Sequence, residues 1–272
     1  MQKIKLLYIE NIIFRKKKQA QQKLTFFLLL EDLGYDKQVD VMWAGENGTW
    51  QVLAAHFHST LANGQEYWSA SINLSLTKEQ SLPGNIQCNV RYRVLDNEYF
   101  ANNAGHNYYS EADSGIKLTH NQSLQNVIFA NKLRNNQQSI NVTVAVKQSF
   151  NAENVTLHWT TNNWKTTKKI QCKFKRNHWD RLLQSNARNP NQYDTQLWTG
   201  KIQHSELAKL KYVISCDNGQ QTIWDNNVDQ NYSFPREQLK VLILNLHCYQ
   251  EDNQDAKFTT IANAINELDV DI

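Results

Sequence analysis

Short segments rich in β-branched and aromatic residues recur along the chain, with turn-forming polar residues between them. They are too short for helices and show no helical periodicity. In the first part of the chain they cover residues 24–28, 39–43, 52–57, 68–74 and 88–94. In the second part they cover residues 140–146, 155–159, 170–174, 197–202 and 212–216. The pattern predicts a mainly β protein built of antiparallel, immunoglobulin-like β-sandwiches.

The second part of the chain repeats the first. Trp50 matches Trp164 at an offset of 114 residues, and Phe100 matches Trp224 at an offset of 124. A repeat of this length indicates a duplicated domain and not a solenoid. The growing offset predicts a longer loop within residues 176–193. We therefore expect two tandem sandwiches, residues 1–114 and 115–237, followed by a separate segment at 238–272.

Composition and charge favour a neutral polar ligand. Aromatic residues make up 11% of the 272 residues, charged residues only 20%, and the net charge is +3. The bases form no stripe, and the pI of about 8.5 lies below the range typical of nucleic-acid-binding domains. No apolar run approaches a membrane span and the first ten residues do not resemble a signal peptide. We expect a cytoplasmic protein without a membrane or nucleic-acid partner, although secretion by a signal-independent route stays open.

Cysteine and histidine spacing does not predict a metal site. The cysteines are far apart, with no C-x-x-C pair, so we expect reduced thiols buried as small apolar groups. His56 and His58 flank Phe57 but have no third ligand nearby in the sequence. Four tryptophans lie within the predicted strands, where we expect them to fill the core: Trp43, Trp68, Trp159 and Trp198.

An asparagine-rich element occurs once in each copy. An aromatic residue precedes two Asn, and an Asn-Tyr pair follows four residues later. The residues are Phe100, Asn102, Asn103, Asn107 and Tyr108 in the first copy and Trp224, Asn226, Asn227, Asn231 and Tyr232 in the second. Asn alone could simply build a turn. The recurrence beside an aromatic residue, with Trp50 or Trp164 upstream, favours a ligand site.

These elements resemble a known family. Residues 161–167 and 224–232 are similar to the signature of the family 21 carbohydrate-binding modules, which occur on fungal glucoamylases and on glycogen-targeting subunits of protein phosphatase 1. Residues 63–72 resemble the fungal starch-binding form. The resemblance covers about residues 5–235. The first copy departs from the pattern, because Phe100 and Ala101 stand where an aromatic residue followed by Asp is usual.

The resemblance implies non-catalytic binding of an α-1,4-glucan, starch or glycogen. Aromatic rings would stack on the apolar face of each glucose, and Asn amides would bond its hydroxyls. The asparagine-rich elements with Trp50 and Trp164 would form one site per copy. Tyr35 and Phe57 would form a second site, with Phe150 and Phe174 as its weaker equivalents. A protein-interaction scaffold is an alternative, although we find no phosphatase-docking motif.

The last segment has a different character. Residues 240–245 are an apolar run that ends in Asn245, and apolar residues follow at helical spacing from Phe258 to Leu268. This segment resembles the opening of the endonuclease/exonuclease/phosphatase family, which implies an active-site role for Asn245. The family's metal-binding Glu would lie beyond Ile272. The resemblance implies a Mg²⁺-dependent phosphoesterase of which this chain holds only the start, so no cofactor is expected in the chain itself. Alternatively, the segment packs on the second sandwich.

Overall fold

A computed structural model describes residues 3–16, 19–119, 122–127, 133, 137–175, 195–233 and 258–263. These residues are mainly β, and all strand pairs are antiparallel. The prediction of a mainly β, antiparallel fold is confirmed. The predicted long loop at 176–193 and the run that ends in Asn245 lie outside the described residues. Residues 258–263 are helical, as their apolar spacing predicts.

The first part of the chain forms two five-stranded sheets. In chain order, the strands are β1 Ile4–Lys16, β2 Gln19–Glu31, β3 Lys37–Ala44, β4 Trp50–Ala54, β5 His56–Thr60, β6 Gln65–Ser75, β7 Ile86–Val94, β8 Asn97–Ala101, β9 Tyr108–Ser110 and β10 Gly115–Leu118. One sheet has the order β10-β1-β2-β6-β5. The other has the order β4-β3-β7-β8, and β9 also pairs with β7. Because β10 pairs with β1, the first sandwich extends past the boundary predicted after residue 114.

The second part repeats the arrangement. Its strands are β11 Leu124–Val127, β12 Ser139–Lys147, β13 Asn154–Thr160, β14 Lys168–Gln171, β15 Lys173–Lys175, β16 Thr195–Gln203, β17 Lys211–Asp217, β18 Thr222–Asp225 and β19 Tyr232–Ser233. One sheet has the order β11-β12-β16-β15, and the other has the order β14-β13-β17-β18 with β19 on β17.

One predicted strand in each half is in fact two strands that belong to different sheets. The segment at 52–57 divides at Ala55 into β4 and β5, and the segment at 170–174 divides at Cys172 into β14 and β15. At each break the backbone N–H donates to the preceding sheet, from Ala55 to Val39 O and from Cys172 to Val155 O, both at 2.8 Å. Both residues are buried. The chain therefore crosses between the facing sheets of each sandwich at equivalent points.

The cores explain most of the apolar pattern. Trp43 lies in the first core and Trp159 and Trp198 in the second, all buried as expected. Trp68 packs against the first core but is only partly buried. Three cysteines, Cys88, Cys172 and Cys216, are buried free thiols, and burial raises the pKa of each. Cys248 lies outside the described residues.

Strand β2 is buried on both faces from Phe26 to Leu30. Leu24, Phe26, Leu28 and Leu30 face the first core, whereas Phe27 and Leu29 belong to the cluster that contains the core of the second sandwich. Phe27 stacks on Tyr8 at 5.3 Å between ring centroids and also lies 5.3 Å from Tyr67. The unbroken apolar run at 26–30 thus has a structural cause, because a strand covered on both sides needs no polar positions.

No helix within the described ranges is long and apolar enough to cross a membrane. Across the same part of the chain, no three His, Cys, Asp or Glu side chains come close enough to hold a metal ion.

Candidate functional site

Trp224 lies on the outer face of the β14-β13-β17-β18 sheet. It stands opposite Ser215 of β17, which in turn stands opposite Thr156 of β13, and directly opposed residues share a face. The neighbours of Trp224 in β18, Ile223 and Asp225, point to the other face. With 55% of its surface exposed, the Trp224 side chain offers solvent a large part of its ring.

A histidine supports this indole from below. The rings of His158 and Trp224 lie 4.8 Å apart between centroids, tilted by 43°. His158 Nε2 is hydrogen-bonded to the Ser215 hydroxyl at 2.8 Å. Burial, together with the positive charge of Lys169, lowers the pKa of His158. The imidazole is therefore neutral at pH 7, and the indole rests on an uncharged support.

The loop at residues 226–231 is built by its own asparagines. Asn231 N–H donates to Asn226 O at 2.8 Å, Asp229 N–H donates to Asn226 Oδ1 at 3.1 Å, and Asn227 Nδ2 donates to Asn231 O at 2.8 Å. Asn227, Val228, Asp229 and Asn231 all have φ between 55° and 65°, in the left-handed region that Asn tolerates best. The turn-building role of these asparagines is thus real.

The loop at 102–107 has the same construction. Asn107 N–H donates to Asn102 O at 3.0 Å, Gly105 N–H donates to Asn102 Oδ1 at 3.2 Å, and Asn103 Nδ2 donates to Asn107 O at 2.9 Å. Asn103, Ala104, Gly105 and Asn107 also have positive φ. The two loops therefore share a hydrogen-bond pattern and a left-handed backbone at equivalent positions.

Two residues expected to contact sugar are buried instead. Asn227 and Tyr232 are exposed by only 6% and 5%. The Tyr232 hydroxyl donates to the Asp225 carboxylate at 2.8 Å, and its ring stacks on Tyr212 at 5.1 Å. Burial raises the pKa of Asp225 above its usual range. The expectation of direct sugar contacts is corrected for this pair, whose side chains support the loop from inside.

Trp164 lies in a turn between β13 and β14 that Asn162 organises. Asn162 Oδ1 accepts from the Thr160 hydroxyl at 2.8 Å and from Thr166 N–H at 3.0 Å, while its Nδ2 donates to Thr166 Oγ1 at 2.9 Å. Trp164 has φ 67°, a strained conformation for a bulky residue that persists only where its surroundings impose it. Half-buried, Trp164 retains an accessible part of its ring.

The β-sheet register brings this turn and the loop at 226–231 to one end of the sheet. The turn follows Thr160, which pairs with Lys211 at the start of β17, and Lys211 Nζ donates to Asn163 Oδ1 at 2.9 Å. The loop ends at Tyr232, which pairs with Tyr212. The turn with Trp164 and the loop at 226–231 therefore lie at one end of the sheet. The exposed Trp224 indole lies on the outer face of the same sheet.

One part of the chain matches a known protein family. Residues 119–235 match the carbohydrate/starch-binding module (family 21). This match supports one family 21 module, and it begins immediately after β10, the last strand of the first sandwich. No curated protein matches the chain.

Solved structures with similarity to the chain include two carbohydrate-binding modules. The starch-binding domain of Rhizopus oryzae glucoamylase, determined in complex with β-cyclodextrin and maltoheptaose, is 18% identical, with a TM-score of 0.30, covering 41% of this chain and 95% of that one. The carbohydrate-binding module of the muscle glycogen-targeting subunit of protein phosphatase 1 is 19% identical, with a TM-score of 0.28 and coverages of 42% and 78%. Purple acid phosphatase PPD1 from yellow lupin (Lupinus luteus) is 11% identical, with a TM-score of 0.29 and coverages of 75% and 37%.

The corresponding face of the first sandwich also carries exposed aromatic rings, although they are arranged differently from those of the second sandwich. Trp50 is 48% exposed and Phe100 45%. They lie on the two edge strands β4 and β8 of one sheet, three strand spacings or about 14 Å apart across the sheet. Tyr109, which the sequence reasoning missed, is 46% exposed and shares a register row with Trp50 through Ala44 and Gln87.

On the outer face of the first sandwich, charged residues and not a histidine lie beside the exposed aromatic ring of Phe100. Arg91, directly opposite Phe100, donates to the buried Asp40 carboxylate at 2.8 Å, and Arg93 donates to the same oxygen at 3.1 Å. Asn107 Oδ1 accepts from Asn89 Nδ2 at 3.2 Å. Asn102 and Asn103 are exposed, whereas Asn107 and Tyr108 are half-buried. Ion pairing thus fixes the floor beneath Phe100.

The predicted second site is an open cleft in the first sandwich. Tyr35 is fully exposed, Phe57 is 53% exposed, and both line a cavity of about 770 Å³. Trp68 also lines it, with its ring edge-on to Phe57 at 6.1 Å and its indole N–H donating to Glu66 Oε2 at 2.8 Å. The structure therefore joins Tyr35 and Phe57 and adds Trp68, which a strand position alone could not distinguish from a core residue.

Two salt bridges of Lys37 hold the charged side chains on one side of this cleft in place. Lys37 Nζ lies 2.6 Å from Glu66 Oε1 and 2.7 Å from Asp32 Oδ1. In the second sandwich the two weaker equivalents differ in exposure. Phe174 is 45% exposed and packs on Trp198 at 5.2 Å, but Phe150 is buried. The expectation of a ligand-facing Phe150 is therefore wrong.

The turn that carries Trp164 provides a stability test. Replacing Asn162 with Ala removes the acceptor for Thr160 and Thr166, so we expect the free energy of unfolding to fall by about 1–2 kcal/mol. Urea unfolding measures this change. The control is Lys165→Ala, which removes an exposed side chain from the same turn. Equal urea midpoints for the two variants would contradict an organising role for Asn162.

Proposed function

We propose that the chain binds α-1,4-glucan non-catalytically, with the outer face and loop end of the family 21 module as its principal site. The observation that supports this proposal most directly is Trp224, whose half-exposed indole packs on His158. Trp224 lies within the residues that match the family. A flat aromatic surface suits the apolar face of a glucose ring. Asn226 and Asn231 are only partly buried, so their amides are accessible to glucose hydroxyls.

Charge supports a neutral ligand at this site. The supporting imidazole is uncharged at pH 7, because burial and Lys169 lower its pKa. Asp225, the acidic residue next to Trp224, is turned inward to Tyr232 and the backbone of Asn126. The surface beside the indole therefore presents the Ser215 hydroxyl and the amides of the 226–231 loop, with Lys169 and Asp229 as exposed charges of opposite sign. A glucan, which carries no charge and many hydroxyls, fits such a surface.

The first sandwich, in this proposal, is a second module of the same family. The matching loops at 102–107 and 226–231 support it, as do the equivalent sheet crossings at Ala55 and Cys172. Its aromatic face would bind through Trp50, Phe100 and Tyr109, and its cleft through Tyr35, Phe57 and Trp68. Two modules on one glucan chain would raise avidity by up to about 10²–10⁴ over one alone.

Retention on insoluble starch tests the proposal. We expect the intact chain to be depleted from solution by granular starch, to pass through microcrystalline cellulose, and to be released from starch by soluble maltoheptaose. Cellulose is the matched control, since it is a glucose polymer with β linkages. Failure to bind starch, or equal retention on both polymers, would refute a specific α-glucan function. An attached phosphoesterase with Asn245 in its active site and Mg²⁺ as its cofactor remains a prediction.

A further inference from the structure

The two sandwiches meet through a tyrosine that reaches the asparagine loop. We infer that Tyr67 of the first sandwich is a positioning residue that holds the 226–231 loop of the second in its binding conformation. The consequence for affinity rests on the proposed function, whereas the ordering of the loop can be measured without any ligand.

The contact is direct and buried. The Tyr67 hydroxyl donates to Asn227 Oδ1, and the two residues are exposed by 4% and 6%. The other atom of that amide, Asn227 Nδ2, donates to Asn231 O at 2.8 Å. One side chain of the first sandwich is thus linked through Asn227 to the backbone of Asn231, whose side chain is a proposed sugar contact.

The surroundings keep Tyr67 in place as a donor. Its ring lies 5.3 Å from that of Phe27, within the cluster shared by the two sandwiches. Burial raises the pKa of Tyr67, and the negative charge of Asp225 raises it further. The hydroxyl therefore keeps its proton throughout the pH range in which the protein would function. Asp225 Oδ1 also accepts from Asn227 N–H at 3.2 Å, so the same asparagine is held at two points.

The first sandwich supplies an internal comparison. Its equivalent loop has Asn103 in place of Asn227, with the same bond to the backbone four residues on. However, Asn103 is exposed, and its Oδ1 has no partner in the parts of the chain that the structure covers. Leu197 takes the place of Tyr67 in the second copy, because each precedes a Trp that pairs with an exposed Phe, Trp198 with Phe174 and Trp68 with Phe57. Leu197 has no hydrogen-bonding side chain. The two loops therefore share one geometry, but only the second is tethered to the other sandwich, whereas the first is bonded to its own sheet through Asn107 and Asn89.

A tether of this kind favours binding through preorganisation. The loop holds three consecutive residues at positive φ, Asn227, Val228 and Asp229, a conformation that costs free energy for residues with a Cβ. A loop already fixed in its bound shape loses less conformational entropy when a ligand arrives. Because Tyr67 lies outside the family match at 119–235, this support comes from the first sandwich and not from the module itself.

Hydrogen exchange tests the tether without a ligand. In the intact chain we expect the Asn231 amide to exchange about 10-fold more slowly than the equivalent Asn107 amide. In Tyr67→Phe the Asn231 rate should approach that of Asn107, which itself should not change. The matched control is Tyr92→Phe, which also removes a buried hydroxyl with a hydrogen bond, to Glu31 O at 3.0 Å, but in the core of the first sandwich.

Calorimetric titration with maltoheptaose tests the consequence. Tyr67→Phe should raise the Kd about 3- to 10-fold, the range expected from the loss of one hydrogen bond, and Tyr92→Phe should leave it unchanged. In an Asn227→Ala background, Tyr67→Phe should have no further effect, because the acceptor is already gone. Unchanged exchange at Asn231 in Tyr67→Phe, or equal effects of both tyrosine variants, would overturn the inference. Absence of maltoheptaose binding by the intact chain would instead refute the proposed function. The exchange rates would still show whether Tyr67 orders the loop, because they are measured without a ligand.

Discussion

Replacing Trp224 with Ala is expected to weaken maltoheptaose binding by roughly 30-fold, or about 2 kcal/mol. The indole is 55% exposed and rests on His158, so its outer face is available to stack on a glucose ring. Removing it eliminates both the stacking surface and the apolar area that a bound sugar would cover. Calorimetric titration of the intact chain and the variant measures the loss.

The effect should follow ring chemistry and not exposed apolar area in general. Leu76→Ala is the matched control, because Leu76 is 47% exposed, follows β6 of the first sandwich, and lies outside both proposed sites. Trp224→Phe should retain part of the affinity, since a smaller aromatic face remains. A Trp224→Ala variant that binds as tightly as Leu76→Ala would remove this residue from the site.

Phe27→Ala is expected to cause the largest loss of stability, about 3–5 kcal/mol. The Phe27 side chain is buried on the face of β2 that packs against the second sandwich, where it stacks on Tyr8 and meets the His58 ring edge-on at 5.5 Å. Truncation leaves a cavity between two structural units that are each fixed by their own cores. Urea unfolding measures the change in free energy.

The control for this prediction is the same substitution at an exposed position. Phe100→Ala removes an identical side chain from β8, where it is 45% exposed, and should cost less than about 1 kcal/mol. If both variants lose the same stability, the apolar contact between the sandwiches contributes little. A large loss for Phe27 alone would identify the two sandwiches as energetically coupled.

The strand pattern of the chain was accessible from local sequence because alternation of apolar and polar residues is a local property. All ten predicted segments correspond to strands, but those at 52–57 and 170–174 each belong to two sheets. The turns at Ala55 and Cys172 contain no glycine or proline, and both residues are apolar. The local sequence therefore does not predict that the chain passes from one sheet to the other at these residues. Only pairing with distant strands distinguishes one strand from two.

The candidate site divides in a similar way. Exposed Trp224 and Phe57 are aromatic residues that a sequence motif can mark as ligand contacts. For two other aromatic residues, only the tertiary structure shows whether the ring is accessible to a ligand. Phe150 lies in the core, and Trp68 lines an open cleft. Strand position cannot separate these cases, because the exposure of an aromatic ring depends on what the facing sheet or loop covers.

The sequence by itself determined the β character of the chain and the positions of the asparagine loops, since both follow from residue type and spacing along the backbone. The tertiary structure alone decided that β2 is covered on both faces, that Asn227 and Tyr232 point inward, and that Tyr67 reaches the loop of the other sandwich. The contact between Tyr67 and Asn227 joins residues 160 positions apart, and Tyr232 packs on Tyr212 of a neighbouring strand. No local pattern specifies which of these surfaces will meet, because contact between distant segments forms only in the folded chain.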